Sequence, residues 1–126
     1  MVAPVPSIQF FEGISEELDD VSLRRNRSTG VRTVLMTFRV LRSIERFQSY
    51  TNRFAKALLL IDSEGNISVT PSSTRFIFGS PEGDDLQRVE CAFEIEGDEH
   101  WERFMRFMQR YAKANGMEYG EPRKQG

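Results

Sequence analysis

A nucleophilic site needs a thiol or hydroxyl, a base within reach and access for substrate. This chain has one Cys and one His to offer, Cys91 and His100. Cys91 alternates with Val89 and Phe93 on the apolar side of a strand-like run and reads as a core thiol. His100 falls in the first turn of a helix and reads as a surface residue, so the two form no pair. A single Cys excludes an internal disulfide framework, and one His with one Cys leaves no His/Cys metal cluster. Glu90, Glu94 and Glu96 sit on the outer side of the same strand, where nothing would raise a carboxyl into the range of a general acid. Asp62-x-Glu64-x-Asn66 has loose calcium-loop spacing but lacks the longer pattern and its terminal Glu, so it reads as a β-turn. Gly79 to Gly83 holds no Gly-Lys-Ser/Thr and is crowded by acids, unlike a phosphate loop. The residue inventory therefore assigns no catalytic, cofactor-binding or metal-binding residue.

What remains is charge and its distribution. The formal net charge of the 126 residues is −2, but it is strongly segmented. Residues 1–23 carry five acids and no base, and residues 24–56 carry nine bases against one acid. Residues 57–102 then carry eleven acids against two bases, and residues 103–126 six bases against two acids. The basic side is 14 Arg to 3 Lys, favouring bidentate contacts with carboxylates or phosphates. Such blocks imply a polarised surface or basic and acidic partners paired across a sheet. Basic residues interleaved with Phe38, Phe47, Tyr50 and Phe54 also fit a nucleic-acid backbone. No base-reading motif accompanies them, however, and the adjoining acidic block would repel phosphate.

The elements that must carry these residues follow from periodicity. Ten Phe argue for a packed core, and a chain of this length buries roughly two thirds of its unfolded surface. Ile8–Phe11 reads as a strand, as do Val21–Leu23, followed by a Ser28-Thr29-Gly30 turn. From Arg32 to Val40, Val34, Met36, Phe38 and Val40 share one face. Leu41–Asn52 fits either a helical turn or an irregular connection. Ala57–Ile61 and Ile67–Val69 flank a turn over Asp62–Asn66 and predict a hairpin. Arg75–Phe78 reads as another strand. Leu86–Glu96 is the clearest, with Val89, Cys91, Phe93 and Ile95 on one face.

The period then changes to that of a helix opened by Gly97-Asp98-Glu99, with Asp98 as N-cap. Trp101, Phe104, Met105, Met108, Tyr111 and Ala112 form its apolar stripe. Arg103, Arg106, Arg110 and Lys113 lie about 180° away and read as its water side. The fold class is α+β: an antiparallel sheet or sandwich of hairpins with one C-terminal amphipathic helix packed on it. The expected organisation is a single domain, 1–126, with a flexible lead (1–7), a folded core (8–117) and a tail (118–126). The lead has no basic region and is no secretory signal. The longest apolar run, Ala57–Ile61, is far short of the roughly 20 residues of a membrane-spanning helix.

The helix sequence from Trp101 to Ala112 (Trp-Glu-Arg-Phe-Met-Arg-Phe-Met-Gln-Arg-Tyr-Ala), followed by Asn115-Gly116, resembles the signature helix of the Psb28 family of photosystem II accessory proteins. Upstream, Ile8-Gln9-Phe10 with Gly13, Asp20-Val21-x-Leu23 with the Arg-rich turn through Gly30, Asp62-x-Glu64-Gly65, and Phe76-Ile77 with Gly79 extend the resemblance over residues 8–117. Two departures imply a divergent paralogue: Gly97-Asp98 stands where the family has Ser-Pro, and Leu41–Asn52 lacks the Pro expected after the long strand.

The resemblance implies a non-enzymatic photosystem II assembly or repair factor without cofactor. It would be peripheral to the thylakoid membrane on its cytoplasmic (stromal) side. It would dock transiently on photosystem II assembly intermediates near the CP47 antenna protein and the reaction-centre subunits, and its sheet would be extended by a partner's tail. Arg24, Arg27, Arg42, Arg46, Arg53 and Lys56 are the expected partner contacts. The alternative is a basic nucleic-acid-binding module.

Overall fold

In the computed structural model, residues 5–44, 57–79, 83 and 85–117 are described. Period-two stretches become strands wherever the sequence alternates. In chain order these are β1 (Ser7–Phe11), β2 (Ile14–Glu16), β3 (Asp20–Arg25), β4 (Arg32–Phe38), β5 (Leu58–Asp62), β6 (Gly65–Val69), β7 (Ser73–Phe78) and β8 (Leu86–Ile95), followed by helix α1 (Asp98–Ala114). They form two four-stranded antiparallel sheets, ordered β2-β1-β5-β6 and β3-β4-β8-β7. Each sheet joins an early hairpin to one made later in the chain. This is the expected α+β class.

One face of each sheet carries the core. Ile8, Phe10, Leu58 and Leu60 come from the first sheet, and Val34, Met36, Phe38, Val89, Cys91 and Phe93 from the second; all are buried in one cluster. Phe10 meets Phe38 edge-on, with ring centroids 5.5 Å apart. The helix adds Phe104, Phe107, Met108 and Tyr111 to the same cluster, and Phe104 stands edge-on to Phe93 at 5.8 Å. Burying each of these rings contributes about 1.5–3 kcal/mol relative to leaving it in water. Phe107, outside the predicted apolar stripe, is among the most deeply buried residues.

Two local expectations change. The long strand ends at Phe38, and Val40 lies exposed beyond it. The helix cap is Gly97, not Asp98, and no side chain caps the first turn. Gly97 holds φ +92°, ψ 140°, a left-handed conformation that costs an L side chain energy. That geometry turns the chain sharply from β8 into α1 and leaves Asp98 free to meet Arg32 at 3.3 Å. Of the stretch read as either a helical turn or an irregular connection, Leu41–Ile44 is a turn with Leu41 and Ser43 buried, closed by Ile44 N–H on the Leu41 carbonyl at 3.2 Å; residues 45–52 lie outside the described residues.

Outward from the core, Glu90 sits opposite Arg75 on β7. It accepts from Arg88 at 2.9 Å, with Arg75 at 3.6 Å. The acidic face of β8 is thus partly matched, by the two bases of the acidic block itself, Arg75 across the sheet and Arg88 on the same strand. Among the described residues no helix is long and apolar enough to cross a membrane. None of their His, Cys, Asp and Glu side chains gather in threes to hold a metal ion.

Candidate functional site

The two residues closest to a nucleophilic pair stand in different surroundings. Cys91 is fully buried among core side chains, and burial pushes its thiol up to about 11 against a weaker opposing hydrogen bond from Thr74. His100 is exposed at the start of α1, its Nδ1 3.0 Å from the Glu96 carbonyl. A thiol held protonated in an apolar core is a poor nucleophile.

Arginine placement separates a structural set from an available one. Arg32, Arg39, Arg75, Arg88, Arg103, Arg106 and Arg110 each reach a carboxylate. Among the described residues, Arg24, Arg25, Arg27 and Arg42 have no such partner, and the first three fall on one hairpin. Arg24 and Arg25 end β3, opposite Thr33 and Arg32 of β4, so their side chains leave opposite faces of the ribbon. Arg27 sits in the turn between the strands.

That turn is firmly built. Asn26 Oδ1 accepts from Ser28 N–H at 2.8 Å and Thr29 N–H at 3.1 Å, and the Asn26 carbonyl accepts from Gly30 N–H at 2.7 Å. Asn26 N–H donates to the Val31 carbonyl at 2.8 Å, and Val31 N–H to Thr29 Oγ1 at 3.2 Å. A local side-chain acceptor of this kind replaces the lost ladder bonds of a loop. The result is a rigid tip carrying three unneutralised guanidinium groups. Arg24 and Arg27 were expected there from the sequence; Arg25 was passed over, although its place beside Arg24 in the same basic run was the available signal.

Arg42 is elsewhere. The tip precedes Arg32 and Arg42 follows Phe38, so the two lie at opposite ends of β4, about 20 Å apart at roughly 3.3 Å per residue. Arg42 is held by its backbone: its N–H donates to Glu16 Oε1 at 2.7 Å, while its guanidinium reaches the Ser15 carbonyl at 3.4 Å. The buried Glu16 carboxylate also accepts from Ser43 N–H at 3.1 Å and Ser43 Oγ at 2.5 Å. A buried carboxylate thus fixes the turn from which the basic segment departs. Arg46, Arg53 and Lys56 lie outside the described residues. The described members of the expected contact set therefore divide, with Arg24 and Arg27 at one end of β4 and Arg42 at the other.

The basic stripe of α1 is not the water side it resembles in sequence. Arg103 donates to both oxygens of Asp62, at 2.9 and 2.6 Å, and Arg110 donates to the same carboxylate at 3.0 Å. Arg106 chelates Glu64 at 2.7 and 3.0 Å, and Arg110 adds 2.6 Å. Asp62 ends β5 on its buried face and Glu64 lies in the β5–β6 turn, so the network bolts the helix to that hairpin. Burial alone would raise the Asp62 carboxyl; the Arg103 and Arg110 hydrogen bonds and the Glu64 N–H hold it below its ordinary value. Hydrogen bonds from Arg106 and then Arg110 hold Glu64 down at about 2. Of the stripe, Arg106 and Lys113 are exposed, Arg106 while chelating Glu64.

This geometry can hold a fold and present a charged tip. The family model described as Psb28 protein matches residues 8–119. The chain belongs to the Psb28 family. Similar proteins named photosystem II reaction center Psb28 protein include one from Guillardia theta, 34% identical over 113 residues, covering 89% of this chain and 92% of the relative. Another, from Rippkaea orientalis, is 35% identical and covers 90% and 94%. A third, from Synechococcus elongatus, is 36% identical and covers 91% and 96%. Two stretches that carry the Psb28 resemblance, Asp62-x-Glu64-Gly65 and the helix with Arg103, Arg106 and Arg110, prove to be the two halves of one ion network. In this Psb28 chain they account for how the terminal helix is held.

Proposed function

We propose that this chain is a photosystem II accessory protein without catalytic chemistry of its own. It docks transiently on assembling or repairing photosystem II from the cytoplasmic (stromal) side of the thylakoid, close to the CP47 antenna protein and the reaction-centre subunits. The observation that carries the reading is membership of the Psb28 family along the whole described fold. The reading is supported by Arg24, Arg25 and Arg27, which share one hydrogen-bonded hairpin tip and meet no carboxylate among the described residues; we propose Arg42, Arg46, Arg53 and Lys56 as further contacts, the last three lying outside the described residues.

β3 is an edge strand and leads directly into that tip. A partner tail that adds to the β3 edge through backbone hydrogen bonds would bring its carboxylates to the arginines. Encounter through such charges is fast and salt-sensitive. The test is co-purification of a tagged copy from photosynthetic membranes under gentle, low-salt detergent extraction. It is expected with an antenna–reaction-centre intermediate that lacks the mature oxygen-evolving cluster, and to weaken as salt is raised. Recovery of the tagged protein only as free monomer would refute the reading. A tight, salt-sensitive shift of RNA or DNA with no photosystem association would favour the nucleic-acid alternative instead.

A further inference from the structure

The two sheets part at one corner. β7 begins opposite Ala92, so the last residues of β8, Phe93–Ile95, run on without a β7 partner. The chain crosses from β6 to β7 through Thr70–Ser72, and between the end of β6 at Thr70 and the end of β8 lies a groove of about 360 Å³. Its floor is apolar: Ile67 and Val69 of the β6 edge, half-buried, with Ile95 and Phe104 beneath them. Its rim is acidic. Glu94 and Glu96 border it, and the shelf continues through Asp98 and Glu99. Among the described residues Glu94, Glu96 and Glu99 have no cationic partner, and Asp98 alone is met, by Arg32 at 3.3 Å. Arg103 also lines the groove, but its guanidinium is engaged by Asp62 and leaves the rim unneutralised. Half-buried apolar side chains framed by unpaired carboxylates match a ligand that is apolar and cationic at once.

We infer that this groove is a second docking site, of opposite sign to the arginine tip, for a cationic segment of a partner protein. The segment's apolar side chains enter over Ile67 and Val69 while its Lys or Arg side chains meet Glu94 and Glu96. The inference does not depend on the photosystem reading, since it invokes none of the same residues.

The probe is a capped synthetic octapeptide alternating Leu or Val with Lys or Arg, titrated into the full chain by fluorescence anisotropy and amide chemical-shift mapping. Two controls carry Glu in place of the cations, or Ser in place of the apolar residues. Binding at least tenfold tighter than either control is expected, with shifts concentrated at Ile67, Val69, Ile95 and His100. Glu94→Lys with Glu96→Lys reverses the rim, and Thr70→Trp fills the groove. Each should weaken the probe at least tenfold while circular dichroism shows the fold intact. Arg24→Ala, Arg25→Ala and Arg27→Ala together should leave it unchanged. Absence of binding, equal binding of the Ser control, or shifts centred on Glu12–Asp20 would each overturn the proposal.

Discussion

Replacing Asp62 by Asn tests whether charge holds the terminal helix in place. The buried Asp62 side chain accepts four hydrogen bonds: two from Arg103, one from Arg110 and one from Glu64 N–H at 2.9 Å. Removing one partner of a buried ion pair ordinarily costs about 3–5 kcal/mol, because the other charge is stranded. Here the stranding is incomplete. Arg110 keeps Glu64 at 2.6 Å, and Arg103 keeps the Gly65 carbonyl at 3.2 Å and Glu64 at 3.6 Å. Asn also retains one acceptor oxygen but turns an NH₂ toward two cations.

The net loss is then one to two hydrogen bonds to charged groups at roughly 1.5–3 kcal/mol each, discounted for the remaining partners, or about 2–3 kcal/mol. For a chain of this size that lowers Tm by roughly 8–12 °C. Urea unfolding followed by far-ultraviolet circular dichroism reads it as a lower midpoint at unchanged slope. A loss below about 0.5 kcal/mol, the size of an ordinary surface change, would falsify the claim that the network is an anchor and reduce it to solvated surface pairs.

Acid should undo the same network. Glu64 titrates at about 2 in the folded chain against an ordinary 4.5, and Asp62 is also lowered. The unfolded chain therefore binds more protons in that interval, so the stabilisation is complete above about pH 4.5 and disappears as pH falls toward 2. Glu64→Gln should flatten the pH dependence of the urea midpoint across this window, and an unaltered slope would contradict the assignment. Glu16→Gln removes charged acceptance from Arg42 N–H, Ser43 N–H and Ser43 Oγ; we expect about 1–3 kcal/mol of lost stability. Amide exchange should quicken at residues 42 and 43, and unchanged exchange there would argue against the clip. With its thiol pushed up by burial, Cys91 should resist a thiol-specific disulfide reagent at pH 8 and release one equivalent only in denaturant. Rapid reaction of the native protein would mean the core opens at β8.

The strands were legible because their faces alternate. Val89, Cys91, Phe93 and Ile95 announce β8, and the turn residues between β5 and β6 announce a hairpin. Which hairpins join was not legible, because β1 pairs with β5 and β4 with β8 across long stretches of chain that no local period records. The same limit hid the ion network. Arg103, Arg106 and Arg110 look like a solvent stripe, and Asp62 and Glu64 look like turn residues, until folding brings groups some forty positions apart together. Phe107 was missed because it borders that stripe in sequence, although its ring lies in the core 5.9 Å from that of Tyr111. Asp98 was assigned the cap on residue preference, whereas the left-handed turn at Gly97 decides where the helix starts. In the candidate contact set, segment charge found Arg24 and Arg27, but could not show that Arg42 stands at the other end of β4.

The interleaving of the two sheets also has a consequence in time. Ile8 finds Leu60 and Met36 finds Cys91, so each sheet waits on a strand made some fifty residues later. The early hairpins can form within about 1–10 μs, yet at roughly 5–20 residues per second of synthesis they wait several seconds for their partners. Through that interval the rings of Phe10 and Phe38 have no completed core to enter. Folding dominated by such distant pairings runs in milliseconds to seconds, and the helix, emerging last, locks the product when its arginines reach the β5–β6 turn. The nascent chain thus passes through a stage in which its own apolar faces need shielding.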